Sequence, residues 1–175
     1  MKRLWAPWRL TYVSGTMPRK PGCFFCDAWA DLGNEPVHLV LARGVRSLAM
    51  LNRYPYTNGH LLIAPARHFG NMEEADADEM AEIWRLAVAA KAALTRAFAP
   101  DGFNIGINQG KTAGAGVADH LHLHIVPRWN GDCNFMPVLA DVRVIPQALE
   151  DAFKSLNPIF ASLLGKQSGC QALSP

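Results

Sequence analysis

The 175-residue chain has no long apolar run, and no stretch approaches the roughly 18 consecutive apolar residues that define a candidate membrane span. It is modest in charge, with 18% charged residues and a formal net charge of +2. A balance that slight gives no electrostatic case for nucleic-acid binding. The N-terminal Met1-Lys2-Arg3-Leu4-Trp5-Ala6-Pro7-Trp8-Arg9 starts basic but has no apolar segment behind it, so no secretory leader is expected and a cytoplasmic location is. Trp5 and Trp8 are expected to anchor the arm by packing. Cysteine is scarce. Of the four, Cys23 and Cys26 form a C-x-x-C pair while Cys133 and Cys170 are scattered. That count argues against a disulfide framework and for metal or redox chemistry. Internal repeats and low-complexity segments are also missing. What remains is ordinary for one globular domain over residues 1–175, with half the residues hydrophobic.

The first 36 residues are rich in Pro and Gly and read as an irregular arm. His38–Ala42 and Ser47–Asn52 carry short apolar runs around Arg43-Gly44, and Asn58-Gly59 marks a turn before a strand over His60–Pro65. Asn71 and Glu74 have capping-box spacing. Met80, Ile83, Trp84, Ala87, Val88, Lys91, Leu94, Thr95 and Phe98 then recur at helical spacing, predicting one long amphipathic helix that ends near Pro100-Asp101-Gly102 with its Met and Trp stripe facing the core. Phe103–Asn108 and Val142–Ile145 read as strands, and Pro146–Leu156 as a helix opened by proline. Residues 166–175 are expected to be a frayed tail. The order suits an α+β fold with a largely antiparallel sheet.

Residues 120–124 read His-Leu-His-Leu-His, followed by Ile125-Val126-Pro127. Alternation is the strand period, so His120, His122 and His124 share one face and Leu121, Leu123 and Ile125 the other. The leucines are expected to bury in the core and the histidines to face a cleft, with successive histidines about 6.7 Å apart. Three groups titrating near neutrality on one strand are a poor packing solution and a good chemical one.

Gly106 to Thr112 superficially resembles a phosphate-binding P-loop, but it has one residue too few between its glycines. The Gly-rich stretch Gly110–Gly116 can still offer backbone amides to an anion, with Gly114, Ala115 and Gly116 leaving room beside His122. Cys23-Phe24-Phe25-Cys26 lies in an irregular arm, unlike a redox pair that opens a helix of a βαβ unit. As half of a tetrahedral zinc site it needs two further ligands, from among His38, His60, His68 and the triad. The triad itself is not one metal site, because His120 and His124 are roughly 13 Å apart along an extended strand.

His-Leu-His-Leu-His-Ile-Val resembles the signature of the histidine triad (HIT) superfamily of nucleotidyl hydrolases and transferases. Gly22–Cys26, Leu51-Asn52, Gly59–His68 and Asn104–Arg128 extend the likeness. Leu4–Arg9 and Pro127-Arg128-Trp129 look like a bacterial branch linked to diadenosine tetraphosphate phosphorylase activity. The resemblance implies an antiparallel five-stranded sheet with two helices, one long, and a homodimer. It makes His122 the nucleophile and places His124 near the phosphate and leaving group. His120 joins Cys23, Cys26 and His68 around a structural Zn2+, Asn52 holds the ribose, and Asn108 neighbours the phosphate. No organic cofactor is implied. Where many members carry Gln-Ser or Gln-Thr before the triad this chain has Ala115-Gly116, so backbone amides would have to serve.

The implied chemistry is attack by neutral His122 on the α-phosphorus of a dinucleoside polyphosphate, giving a covalent nucleotidyl-histidine. A protonated His124 would stabilise the phosphoryl oxygens. Phosphate would be the acceptor, docked beside Gly114–Gly116 and gripped by Arg128 folded towards the cleft, with Trp129 placed to stack on an adenine. The alternatives are a HIT hydrolase using water on dinucleoside polyphosphates or nucleoside phosphoramidates, a non-catalytic nucleotide-binding module, and a catalytic metallohydrolase. No nucleic-acid or membrane partner is expected.

Overall fold

The computed structural model describes residues 22–132, 145, 147–165 and 171–172. Trp5, Trp8, Cys133, Cys170 and positions 142–144 of the expected strand lie outside them, and Ile145 belongs to no element. In chain order the elements are α1 (Phe24–Ala30), α2 (Glu35–His38), β1 (Val40–Arg43), β2 (Ser47–Leu51), β3 (Leu61–Pro65), α3 (Ala77–Phe98), β4 (Gly102–Ile107), β5 (Leu123–Arg128), α4 (Leu149–Leu164) and β6 (Gln171–Ala172). The strands form one sheet in the order β4-β5-β3-β2-β1-β6, with every neighbouring pair antiparallel. The α+β architecture is the expected one, and β1 to β5 are its five strands. The sixth is a correction: within the tail expected to fray, Gln171 and Ala172 pair with Arg43 and Ala42. Main-chain hydrogen bonding along an open sheet edge needs no apolar pattern, so this pairing leaves no periodic signal in the residues.

Alternation along the strands divides the core. Leu61 and Ile63 of β3, Ala49 and Leu51 of β2, and Leu123 and Ile125 of β5 point to the side covered by α3 and α4. There they meet Ile83, Leu86, Ala90 and Leu94 of α3 and Phe153, Leu156 and Phe160 of α4. Leu48, Met50, Leu62 and Ala64 point to the opposite side, where Phe25 and Ala28 of α1 cover them. The arm expected to be irregular therefore holds two short helices.

Two helix starts were misjudged. Asn71 and Glu74 do form a capping box, but it closes a single 3-10 turn over Met72–Glu74. The long helix starts from a second box, in which Asp76 accepts from the Glu79 amide and Glu79 from the Asp76 amide. The second helix begins at Leu149 and carries Pro158 inside it, whereas the sequence suggested a start at Pro146 and an end at Leu156. On α3 the expected stripe is rotated. Trp84 and Val88 are 51% and 66% exposed, while Leu86, Ala89, Ala90 and Ala93 are buried. Alanines let the helix sit close to the sheet, and their weak hydrophobicity concealed the buried face.

One buried carboxylate fastens this helix to the β1–β2 turn. Glu82 accepts hydrogen bonds from the Val45 amide (2.9 Å), the Arg46 amide (2.7 Å) and the Ser47 hydroxyl (2.7 Å). Position 44 must be glycine for this, since a Cβ there would lie 2.6 Å from the Glu82 carboxyl carbon. Glu82→Ala strands three donors, and bonds to charged groups are worth about 1.5–3 kcal/mol each. The expected loss is about 3 kcal/mol or more in urea unfolding. A change below about 1 kcal/mol would show that water replaces the carboxylate. No helix among the described residues is long and apolar enough to cross a membrane.

Candidate functional site

The three histidines lie on the α1 side of the sheet, while Leu123 and Ile125 are drawn into the α3–α4 core. His124 pairs with Leu62 of β3 and with Gly106 of β4. Hydrogen-bonded strand begins only at Leu123. Ahead of it the chain is held by the Leu121 amide donating to the Phe69 carbonyl at 2.6 Å. The histidines were expected to face a cleft, but His120, His122 and His124 are all buried, at 1%, 5% and 9% exposure. The cover comes from α1, whose Phe25 ring sits 4.9 Å from His120 and 5.1 Å from His122.

At one end of the row lies a Cys/His cluster. Cys23 is the N-cap of α1 and Cys26 is in its first turn, which turns both thiols the same way. His68 follows the end of β3, and His120 heads the triad. Cys23 Sγ is 3.1 Å from His120 Nδ1, Cys26 Sγ is 3.4 Å from His68 Nδ1, and all four donor atoms fall within 4.8 Å of one another. Tetrahedral zinc with bonds of about 2.3 Å to sulfur and 2.0 Å to nitrogen sets its ligands roughly 3.3–3.8 Å apart, so the donors fit such an ion. The tautomer fits as well. His120 Nε2 lies 2.9 Å from the Pro65 carbonyl, to which it can only donate, and this leaves the Nδ1 lone pair facing the thiols. Burial lowers the His120 pKa to about 4 and so keeps the imidazole neutral. Burial, reinforced by Cys23 and Asp27, raises the Cys26 thiol to about 11. His38, an alternative ligand by sequence, is instead held by Asp31 at 2.8 Å.

The remaining histidines are ordered by a chain of hydrogen bonds. His122 Nδ1 lies 2.8 Å from the His120 carbonyl. It must therefore carry the proton, and the Nε2 lone pair is directed away from the backbone. The Tyr56 amide donates to His60 Nδ1 at 3.1 Å, and Asn52 Nδ2 approaches the same atom at 3.3 Å. His60 Nδ1 is thus an acceptor, the proton sits on Nε2, and Nε2 donates to His124 Nδ1 at 3.0 Å. That leaves a proton on His124 Nε2, which is buried and has no hydrogen-bond partner among the described residues. Burial, then the neighbouring His122, lowers the His124 pKa to about 4. Burial also lowers His122, and His60 falls well below 6.5 by burial and the nearby His124 and His122. A neutral nucleophilic nitrogen beside a neutral N–H donor is the result. A protonated His124, expected from the resemblance, is opposed by the low-dielectric surroundings.

His60, by sequence only one of the possible zinc ligands, is instead hydrogen-bonded to His124. The available signal was its place at the head of a buried strand, directly after the Asn58-Gly59 turn. Asn52 is brought to the site, but its side chain is engaged by His60 and by the Tyr54 amide, which donates to Oδ1 at 2.9 Å. Asn108 lies near the loop, with Nδ2 3.9 Å from where a Gly114 Cβ would stand. Gly114 adopts φ +88° as the cap of a 3-10 turn over Lys111–Ala113; Ala115 is buried and Gly116 exposed. Arg128 and Trp129 are placed elsewhere. Arg128 grips Asp132 and donates to Asn104 at 2.7 Å, next to Gly102 across the β4–β5 ladder. The Trp129 indole donates to the Phe98 carbonyl at the end of α3. Both lie past the His124 end of the row, where β5 leaves the sheet.

Comparisons with known proteins agree with this geometry. A family model for the HIT domain matches residues 35–131. The chain is 38% identical over 162 residues to the AP-4-A phosphorylase of Mycobacterium tuberculosis, covering 89% of this chain and 83% of that one. A crystal structure of a Zn-bound histidine triad family protein from Mycobacterium smegmatis is 27% identical with a TM-score of 0.65, over 83% of this chain and 98% of the other. A hypothetical histidine triad nucleotide-binding protein from Sulfolobus tokodaii gives 28% identity and a TM-score of 0.61, over 82% of this chain and 92% of that one.

Proposed function

This chain belongs to the histidine triad (HIT) family, and on that premise we propose that it is a nucleotidyl-transferring enzyme that splits a dinucleoside polyphosphate, with inorganic phosphate as acceptor. The observation that carries the reading is the His122 Nδ1–H bond to the His120 carbonyl, which leaves Nε2 as a neutral nucleophile next to the unpartnered Nε2–H of His124. His122 Nε2 attacks the α-phosphorus; an N–P bond forms and the bridging P–O bond breaks, releasing a nucleoside polyphosphate. His124 donates a hydrogen bond from Nε2 to the oxygens gaining charge, and its orientation is set by the bond from His60. A phosphate oxygen then attacks the same phosphorus, breaks the N–P bond and returns His122 to its starting state. Asn52 and Asn108 would neighbour the sugar and phosphate, and the amides around Gly114–Gly116 would receive the phosphate.

Cys23, Cys26, His68 and His120 would hold zinc, which when bound supplies a structural cross-link and no part of the reaction. The near relative named AP-4-A phosphorylase supports phosphate over water. With diadenosine tetraphosphate and labelled phosphate, the expected products are ATP and ADP with the label in ADP. AMP plus ATP irrespective of phosphate would instead assign a hydrolase, and binding without products a sensor module.

A homodimer is part of the same reading. Among the described residues β4 ends the sheet; Ile105 on it is 42% exposed, and Trp84 and Val88 of α3 are exposed too. An exposed strand edge with apolar side chains is a natural seat for a second copy. Light scattering should give twice the chain mass for the wild type and a monomer for Ile105→Lys; a monomeric wild type would exclude the assembly.

A further inference from the structure

Phe25 stands between Cys23 and Cys26, and nothing in the chemistry above uses it. Its ring is 1% exposed, seated in the apolar surface made by Val40, Leu48, Met50, Leu62 and Ala64. It also lies 5.1 Å from the His122 ring at 39° and 4.9 Å from the His120 ring at 43°, while His124 stands 4.8 Å from His122. Such separations are contact distances for aromatic rings.

An imidazole ring has a broad torsional profile about χ2, so it turns out of its plane wherever a neighbour leaves room. Turning His122 over would break its bond to the His120 carbonyl and carry the lone pair away from its direction beside His124. The bond from its Nδ1 to the His120 carbonyl, at 2.8 Å, favours one orientation. A fixed aromatic wall restricts the ring further. The wall is itself fixed, because Phe25 adjoins Cys26 and lies two residues after Cys23, and both thiols belong to the Cys/His cluster.

We infer that Phe25 is a positioning residue for His122: carried on the short turn between Cys23 and Cys26, its ring keeps the imidazole in the orientation that puts Nδ1–H on the His120 carbonyl and Nε2 towards the substrate. This rests on the reading of His122 as nucleophile and adds to it. The Cys/His cluster then has a second consequence besides tying α1 to the sheet, since it fixes the wall against which the nucleophile rests.

The test uses the metal-replete full chain and two variants, Phe25→Leu and Phe25→Met, which keep an apolar filling without an aromatic face. Long-range proton–nitrogen NMR correlations report which nitrogen of His122 bears the proton. The wild type should show Nδ1–H alone. Both variants should keep one metal equivalent and an unchanged KM, show mixed Nδ1–H and Nε2–H signals, and lose roughly 10- to 100-fold in kcat. Pure Nδ1–H with undiminished kcat in the variants would overturn the inference. So would loss of metal and melting temperature with the His122 tautomer intact, because that is what simple core filling predicts. A wild type without turnover would refute the proposed activity alone, since the tautomer is read in its absence.

Discussion

Replacing His122 with alanine is expected to lower turnover of diadenosine tetraphosphate by at least about a thousandfold while leaving the affinity for a non-hydrolysable dinucleotide within a few-fold. The asymmetry follows from the role. A nucleophile contributes through a bond that exists only after the ground state has been left, so its removal falls on kcat rather than on binding. The side chain is buried, and its Nδ1 hydrogen bond goes to the backbone of His120 rather than to a side chain of the site. His124→Ala removes a single N–H donor and should cost about a hundredfold. His60→Ala should act in the same direction as His124→Ala with a smaller effect, because His60 only selects which nitrogen of His124 carries the proton. Calorimetric titration with the analogue, set beside single-turnover rates, separates the two readouts. Near-normal turnover in His122→Ala would remove the nucleophile assignment, and loss of binding equal to the loss of rate would mean that the ring acts in the ground state.

The second large effect is expected from the double substitution Cys23→Ser with Cys26→Ser. Protein purified without added zinc should carry about one equivalent of zinc per chain, and the double variant almost none. The Cys/His cluster joins positions 97 residues apart, Cys23 and His120. Closing a loop of about that length by a cross-link removes roughly 4–5 kcal/mol of unfolded-state entropy. At about 2–4 °C per kcal/mol for a chain of this size, the melting temperature should fall by roughly 8–20 °C. Chelation should reproduce the shift and zinc should reverse it. A chain that contains no metal as purified, and whose melting temperature ignores both chelator and substitution, would show that the four donors converge for some other reason.

The periodicities of the sequence located most of the elements. Leu121, Leu123 and Ile125 alternating with three histidines required a strand with one apolar and one polar face, and the apolar spacing after Met80 required a long helix. C-x-x-C and the triad named the chemistry through side-chain types that have few other uses in such patterns, and the family resemblance named the two histidines that complete the cluster. What was misread had weak or non-local signals. The face of α3 was misjudged because small alanines, not Trp84 and Val88, make its contact with the sheet. Arg128 was expected to turn towards the phosphate, but Asp132 and Asn104 engage it where β5 leaves the sheet.

Protonation states belong to the folded chain alone. Nothing local to residues 120–124 says that all three imidazoles are buried and held neutral, that a main-chain carbonyl fixes the proton of His122, or that His60, 64 positions before His124, fixes the proton of that ring. Composition and spacing determined which groups are available and on which face of a strand they lie, because these depend on the covalent chain and its local periodicity. Which nitrogen of each ring keeps its lone pair was decided only when β3, β5, α1 and the turn before β3 came together. Desolvation and hydrogen-bond direction arise from neighbours that are distant in sequence, and tertiary packing is what supplies them.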